Sequence, residues 1–403
     1  MEEDVLNPTH STTSNPISLL SSLIQIRSEN PPGNEDEIIS FAEAVLTDCG
    51  IASTRVPLEE GRSSLVARIA GRNRGSIVMC GHVDTVRGEV EQWSFDPLSG
   101  QVHDGRIWGL GSADMKGGVA AILHVVCELK RQSVVPAQDV VLVLTADEER
   151  AYRGAASVAK AGHLKDAALL IIAEPTAERA YIGQKGELWV EATFQGQEAH
   201  GSMPEKGVNA ILPAARFAIR MTEEARKFAF QAGRGRTSLN IGELHGGRQI
   251  NIVPDSATVS LDTRVITEED REQFVRCITD VGNELAAESG TTFSFKISND
   301  KAPIVSDSQH PLISQFLRVF ADAHATSIQH EIVPYSTDAV EIVPRIGVPL
   351  IVYGPGNIEQ AHRQDEFLEL ASFEKSIEVF ARFVATATMA ANATELKEHR
   401  EEA

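Results

Sequence analysis

The chain has 403 residues, 42% hydrophobic and 23% charged, which is ordinary globular composition and too long for one core, so two domains are expected. Its formal net charge of −20 repels phosphate backbones and anionic membrane surfaces, which argues against nucleic acid or such a membrane as a partner. No apolar run approaches the ~20 residues of a membrane span, and the acidic, polar opening MEEDVLNPTHSTTSN is no signal peptide, so a soluble cytoplasmic protein is expected.

Residues 1–15 read as a flexible tail. A helix follows Pro16, with Leu19, Leu20, Leu23 and Ile24 on one face, and stops at the breaker NPPG (30–33). A second helix is predicted over 36–46, strands over 64–71 and 76–82, a helix over 114–130, and buried strands over 139–146 and 168–173. This alternation predicts an α/β domain with a mixed, mainly parallel sheet. The pattern changes near Gln184. ELWVEATFQG (187–196) alternates with period two, a helix covers 208–228, TSLNIGELHGG and ATVSLDTRV read as strands, and 268–289 reads as a helix. That predicts a small α+β domain over 184–298. From 300 the first rhythm returns, with helices over 311–324 and 370–389 and a strand over 349–354. The larger domain is therefore expected to be discontinuous, 16–183 and 299–403, with the smaller one inserted. Cys49, Cys80, Cys127 and Cys277 form no CxxC pair and read as free thiols in a reducing compartment.

Several predicted strands end on ligand-type side chains. SIVMC delivers His82 to a strand's C-terminal end, where α/β sheets place their sites. Asp84 lies two residues on, so on the same face of an extended chain, and can accept the second ring N–H of His82 and aim the ring. Alone, such a His-x-Asp equally suits a structural pair. GLGSADMKGG (109–118) lacks the third glycine and the βαβ start of a dinucleotide fingerprint. Its glycines allow a tight loop that presents Asp114 at a helix head, to bridge two cations or merely to cap the helix. TADEER (145–150) puts three carboxylates in a row after a buried strand; they are a solvated acidic turn or a cation site. In the second case Glu149 binds metal while Glu148 faces the substrate as a base beside a polarised water. Glu174 ends the strand of IIAEPT, and His362 follows the Gly-Pro-Gly turn in YGPGNIEQAHRQDEF. Each has a bland reading as a loop residue. Together, His82, Asp114, Glu149, Glu174 and His362 make a donor set without thiolates that suits two divalent ions, zinc first, with manganese or cobalt as alternatives.

The segments GHVDTV, WSFDPLSGQVHDGRIWGLGSADMKGG, TADEE, EPT, AHGSMPEKGVNA, NIVPD and GPGNIEQAHRQDE resemble the acetylornithine deacetylase / succinyl-diaminopimelate desuccinylase family of co-catalytic metallohydrolases, over roughly 16–390. The resemblance implies a catalytic α/β domain carrying an inserted ferredoxin-like α+β lid and dimerisation domain. It implies that Asp114 bridges, that His82 and Glu174 complete one metal site, and that Glu149 and His362 complete the other. Glu148 matches the general base and Asp84 the histidine orienter. His200 matches a histidine that stabilises the oxyanion in a neighbouring active site of dimeric members. Arg264 matches an arginine that holds the substrate carboxylate, although it could instead pair with Asp262 on the same strand face. Asn251 is a further substrate contact. Two segments depart from the family pattern: Arg87 closes HVDTVR, and Arg150-Ala-Tyr-Arg153 stands where a glycine is usual.

The function expected is a dinuclear-metal amidohydrolase acting on small N-acyl amino acids with a free carboxylate, working as a homodimer. Open alternatives are a succinyl-diaminopimelate desuccinylase or carboxypeptidase, hydrolysis of another C–N bond such as that of an aromatic amine, and an inactive ligand-binding scaffold.

Overall fold

The structure, a computed structural model, describes residues 14–88 and 93–387. The chain forms two compact units. Unit 1 runs through Gly183 and resumes over Val305–His330 and from Thr337; unit 2 is Gln184–Ile304 with Glu331–Ser336. The break expected at 298/299 lies inside a strand, Thr292–Lys301, that pairs along its length with Gly186–Gln195 of unit 2, and the chain instead passes back to unit 1 at 304/305. All but the last two residues of the expected tail, 1–15, and the end of the last predicted helix lie outside the described residues.

Unit 1 begins with helices α1 (Pro16–Gln25) and α2 (Asp36–Asp48), then strands β1 (Ser53–Glu59), β2 (Arg62–Ile69) and β3 (Asn73–His82). Asn15 caps α1, its side-chain oxygen accepting the N–H groups of Ile17 and Ser18. The short strands β4 (Gln101–His103) and β5 (Arg106–Trp108) precede helix α3 (Lys116–Arg131), β6 (Gln138–Thr145), the single-turn α4 (Glu148–Ala151), α5 (Arg153–Ala161), β7 (Ala167–Ile172) and β8 (Tyr181–Gln184). Within this unit the large sheet runs β1-β2-β6-β3-β7-β17-β8, where β17 is Leu350–Val352. Its centre, β6-β3-β7-β17, is parallel, and its flanking pairs are antiparallel. The central strands are continuous apolar runs because helices cover both faces of such a sheet. Ile77, Met79, Val140, Leu142, Leu144, Leu169 and Ile171 are all buried, each worth roughly 1.5–3 kcal/mol of apolar transfer. Helix α3 lies directly on the sheet. A Cβ on Gly118 would stand 1.9 Å from the carbonyl oxygen of Ala173. Only glycine allows that approach, which draws the head of α3 to the end of β7. Unit 1 hydrogen-bonds across its own gap: Ser306 N–H donates to the Ile182 carbonyl at 2.8 Å.

Unit 2 holds β9 (Gly186–Gln195), β10 (Ala199–His200), α6 (Ile211–Arg226), β11 (Ser238–Gly246), β12 (Ile252–Val253), β13 (Ser256–Val265), α7 (Glu268–Ser289) and β14 (Thr292–Lys301). Four of these strands form an antiparallel sheet in the order β11-β13-β9-β14. In β13 every second side chain is buried, the period-two pattern of a sheet with one covered face. Helices α6 and α7 supply the cover, Phe217 and Phe274 packing with Phe194 and Leu261 in a separate core. The β-α-β-β-α-β order is ferredoxin-like. The remaining elements are β15 (Ile304–Val305), α8 (Pro311–His324), β16 (Glu331–Val333), α9 (Ala339–Ile346), β18 (Phe367–Glu369) and α10 (Leu370–Thr386).

Candidate metal centre

The parallel strands bring their C-terminal ends together. His82 ends β3 and pairs in register with Thr145, which ends β6. Glu148 and Glu149 open α4 just beyond Thr145, and Glu174 lies two residues beyond β7. Asp114 closes the loop before α3, and His362, with φ +58, lies in the loop between β17 and β18.

These side chains converge. One Asp114 oxygen, Oδ1, is 3.1 Å from His82 Nε2, and the other, Oδ2, is 3.5 Å from His362 Nε2. His82 Nε2 is also 3.7 Å from Glu174 Oε1, and His362 Nε2 is 3.1 Å from Glu149 Oε2. Donor atoms of His82, Asp114 and Glu149 all lie within 4.8 Å of one another. Glu148 Oε2 is 3.9 Å from His82 Nε2. All but His362 are largely buried; the His362 side chain is 54% exposed.

Asp84 differs in detail from expectation. His82 Nδ1 meets the backbone carbonyl of Asp84 at 2.8 Å, while the carboxylate oxygen Oδ1 stands off at 3.7 Å. That carboxylate instead accepts the N–H groups of Glu148 (3.1 Å) and Glu149 (3.2 Å) and the Asn30 amide (2.9 Å). Asn30 also donates to Asp147 at 3.0 Å, and Asp147 is held by Arg62 at 2.8 Å. Asp84 thus orients His82 through its main chain and the Glu148–Glu149 turn through its side chain. The sequence argument failed because a strand-end turn brings the nearer carbonyl, rather than the side chain, to the ring.

The cluster is overloaded with negative charge. Burial pushes Glu148 and Glu174 well above the usual carboxylate range, and neighbouring carboxylates push them further. Burial resists charging of His82, but Glu148, Asp114 and Glu174 outweigh it and raise its pKa. His362 rises to about 9, chiefly through its contact with Glu149. Asp114 is held down by His82 and His362 against the opposing push of burial. Among the described residues no lysine or arginine ion-pairs with Asp114, Glu148, Glu149 or Glu174. Four clustered carboxylates facing only two imidazoles, with oxygen and nitrogen donors and no thiolate, fit divalent cations.

The other expected site residues lie in unit 2. His200 is exposed, with Nδ1 bonded to the Ser202 hydroxyl at 2.8 Å. The Arg264 guanidinium pairs with Glu187 at 2.7 Å and Asp262 at 2.9 Å. Asn251 is exposed, and its carbonyl accepts the Gly201 N–H. Two carboxylates near the centre escaped sequence reasoning. Asp338, beside α9, is buried and accepts the Thr145 hydroxyl. Glu366 is buried against the Asp114 loop. Neither carries a local signal that sets it apart: Asp338 lies in no segment with a predicted element, and Glu366 is one of several acids after His362.

The model of peptidase family M20/M25/M40 matches residues 78–386. A probable succinyl-diaminopimelate desuccinylase of Staphylococcus epidermidis (strain RP62A) is 30% identical over 396 residues, covering 90% of this chain and 95% of the relative. An acetylornithine deacetylase of Pasteurella multocida is 28% identical, covering 84% and 88%. Among solved structures, a tripeptidase of Staphylococcus aureus superposes with a TM-score of 0.79 at 23% identity, covering 93% of this chain and 98% of that one. A dinuclear metal-binding M20 peptidase of Bacillus subtilis gives 0.72 at 16% identity, covering 94% and 98%. The family match and the relatives show that the chain belongs to peptidase family M20/M25/M40, a family of dinuclear-metal amide hydrolases.

Proposed function

We propose that His82, Glu174 and one oxygen of Asp114 hold one divalent cation, that Glu149, His362 and the other oxygen hold a second, and that the protein hydrolyses the amide of small N-acyl amino acids. Zinc is the expected ion, with manganese or cobalt as alternatives. The observation that carries this reading is Asp114, whose two oxygens face His82 at 3.1 Å and His362 at 3.5 Å. Cations bound there supply Lewis acidity to an amide carbonyl and to water. Glu148, buried beside His82 and raised in proton affinity by burial, takes the proton of the attacking water on its carboxylate and delivers it to the departing nitrogen. Asp84 holds the backbone that carries Glu148.

Arg264 is the proposed anchor for the substrate carboxylate and Asn251 a further contact. Arg264 already pairs with Glu187 and Asp262, so an incoming carboxylate would share its fork. Unit 2 is the proposed lid and homodimer surface, and His200 of the partner subunit the proposed oxyanion donor. Exposed Leu212 and Ile219 on α6 and Leu244 on the edge strand β11 support an interface there. Desuccinylation of succinyl-diaminopimelate is the second reading, favoured by the names of the staphylococcal relatives. No helix among the described residues is long and apolar enough to cross a membrane, which fits a cytoplasmic enzyme.

The test is a substrate panel on chelator-treated protein reconstituted with zinc, manganese or cobalt. It comprises N-acetylornithine, N-succinyl-diaminopimelate, acyl aromatic amino acids, dipeptides and aromatic amines. Metal-dependent release of an amino acid from an acyl substrate is expected. Turnover confined to dipeptides or aromatic amines, or indifferent to metal, overturns the reading.

A further inference from the structure

Glu366 is 1% exposed and forms no ion pair among the described residues, yet it is ringed by backbone donors. Strand β18 pairs with β5 in the register Phe367↔Trp108 and Leu368↔Ile107, so Glu366 falls opposite Gly109. Its carbonyl accepts the Gly109 N–H at 3.0 Å. Its side chain then follows the loop that leads to Asp114. Oε2 accepts the Gly111 N–H at 2.8 Å, and Oε1 accepts those of Ala113 at 2.8 Å and Asp114 at 3.0 Å. Gly111 sits at φ +78, where a Cβ would stand 2.6 Å from Thr85 Cγ2. The loop therefore has one tight path, and four of its N–H groups end on one residue. The same stretch of chain carries His362 four positions earlier.

We propose that Glu366 is a positioning residue for the metal centre: by gripping the backbone on both sides of residue 113 it aims the Asp114 carboxylate, so that one oxygen faces His82 and the other His362. This rests on the metal reading given above. An ionised carboxylate suits the task because it only accepts hydrogen bonds, and the N–H groups of Asp114, Gly111 and Ala113 favour that form against burial. Glutamine has the same shape but must turn an NH2 group toward N–H donors. With its oxygen at the Oε1 position it keeps Ala113 and Asp114 and repels Gly111; reversed, it loses two of the three. Groups that orient metal ligands in this indirect way typically change metal affinity about 10- to 100-fold when replaced.

The test is E366Q, titrated with cobalt and zinc beside the wild-type protein and checked for folding by circular dichroism. Expected are two bound ions in the wild type and an affinity lowered about 10- to 100-fold in E366Q. The cobalt absorption spectrum should change, because the Asp114 ligand has turned; a role in folding alone would leave it unaltered. At saturating metal, kcat should fall while KM holds. E366D, which keeps the charge but shortens the reach, serves if E366Q does not fold and should show the same spectral change. Wild-type affinity and an unchanged cobalt spectrum in the folded variant overturn the positioning role while leaving the metal reading intact. Failure of the wild type itself to take up metal overturns both.

Discussion

Replacing Asp338 by asparagine separates the charge of a buried carboxylate from its shape. Asp338 is 2% exposed; Oδ2 accepts the Thr145 hydroxyl, and Oδ1 has no hydrogen-bond partner. Burial pushes its carboxyl from the ordinary 3.8 to about 6. Because the folded pKa is raised, the folded protein binds this proton more tightly than the unfolded chain does. The resulting stability is fully present below about pH 4 and is lost as pH rises through 6. The gap between 3.8 and about 6, at 1.36 kcal/mol per pH unit, is about 3 kcal/mol. Asparagine keeps the volume and the acceptor for Thr145 but cannot ionise. In chelator-treated protein D338N should therefore gain about 2 kcal/mol of this on the wild type between pH 4 and pH 7.5. Urea denaturation at the two pH values, followed by fluorescence, measures the difference. An offset between variant and wild type that is equal at both values would refute the assignment of this charge as the destabilising element.

Glu148→Gln should lower kcat by about 10²- to 10⁴-fold with metal content unchanged; full activity removes Glu148 from the chemistry. Arg62→Ala removes the guanidinium that pairs with buried Glu35 at 2.5 Å and buried Asp147 at 2.8 Å, leaving Asp147 to Arg153 and Asn30. A loss of about 3–5 kcal/mol is expected in denaturant titration, and a loss below about 1 kcal/mol would show that the network is dispensable. Gly118→Ala must push α3 off β7, since its Cβ would meet the Ala173 carbonyl oxygen at 1.9 Å. It should destabilise by about 1–3 kcal/mol or more and weaken metal binding, because Asp114 and Glu174 sit at the two ends of that contact; unchanged affinity in the variant argues against this coupling.

The sequence was most legible where one physical signal dominated. Continuous apolar runs marked β3, β6 and β7, and the residues that ended or followed them, His82, Glu148, Glu149 and Glu174, are those that meet in space. Strand β1 was missed because Pro57 and two charged residues, Arg55 and Glu59, mask it, as suits an edge. The helix expected from 114 starts at Lys116, since the Asp114 loop is shaped by distant Glu366 rather than by local propensity. The position of Glu331–Ser336 in unit 2 has no local signature either. What remained hidden were contacts across long stretches of sequence: Asn30 with Asp84 and Asp147, Thr145 with Asp338, and Glu366 with the loop over 111–114.

The hydrogen bond between Ser306 and Ile182 closes unit 1 on itself at the place where more than a hundred residues depart and return. Seen from the sheet, that whole excursion is one long connection between neighbouring strands, and the entropy of closing such a connection grows only logarithmically with its length. The excursion can be lengthened at this junction while the strand ends that carry His82, Glu148, Glu149 and Glu174 stay in register.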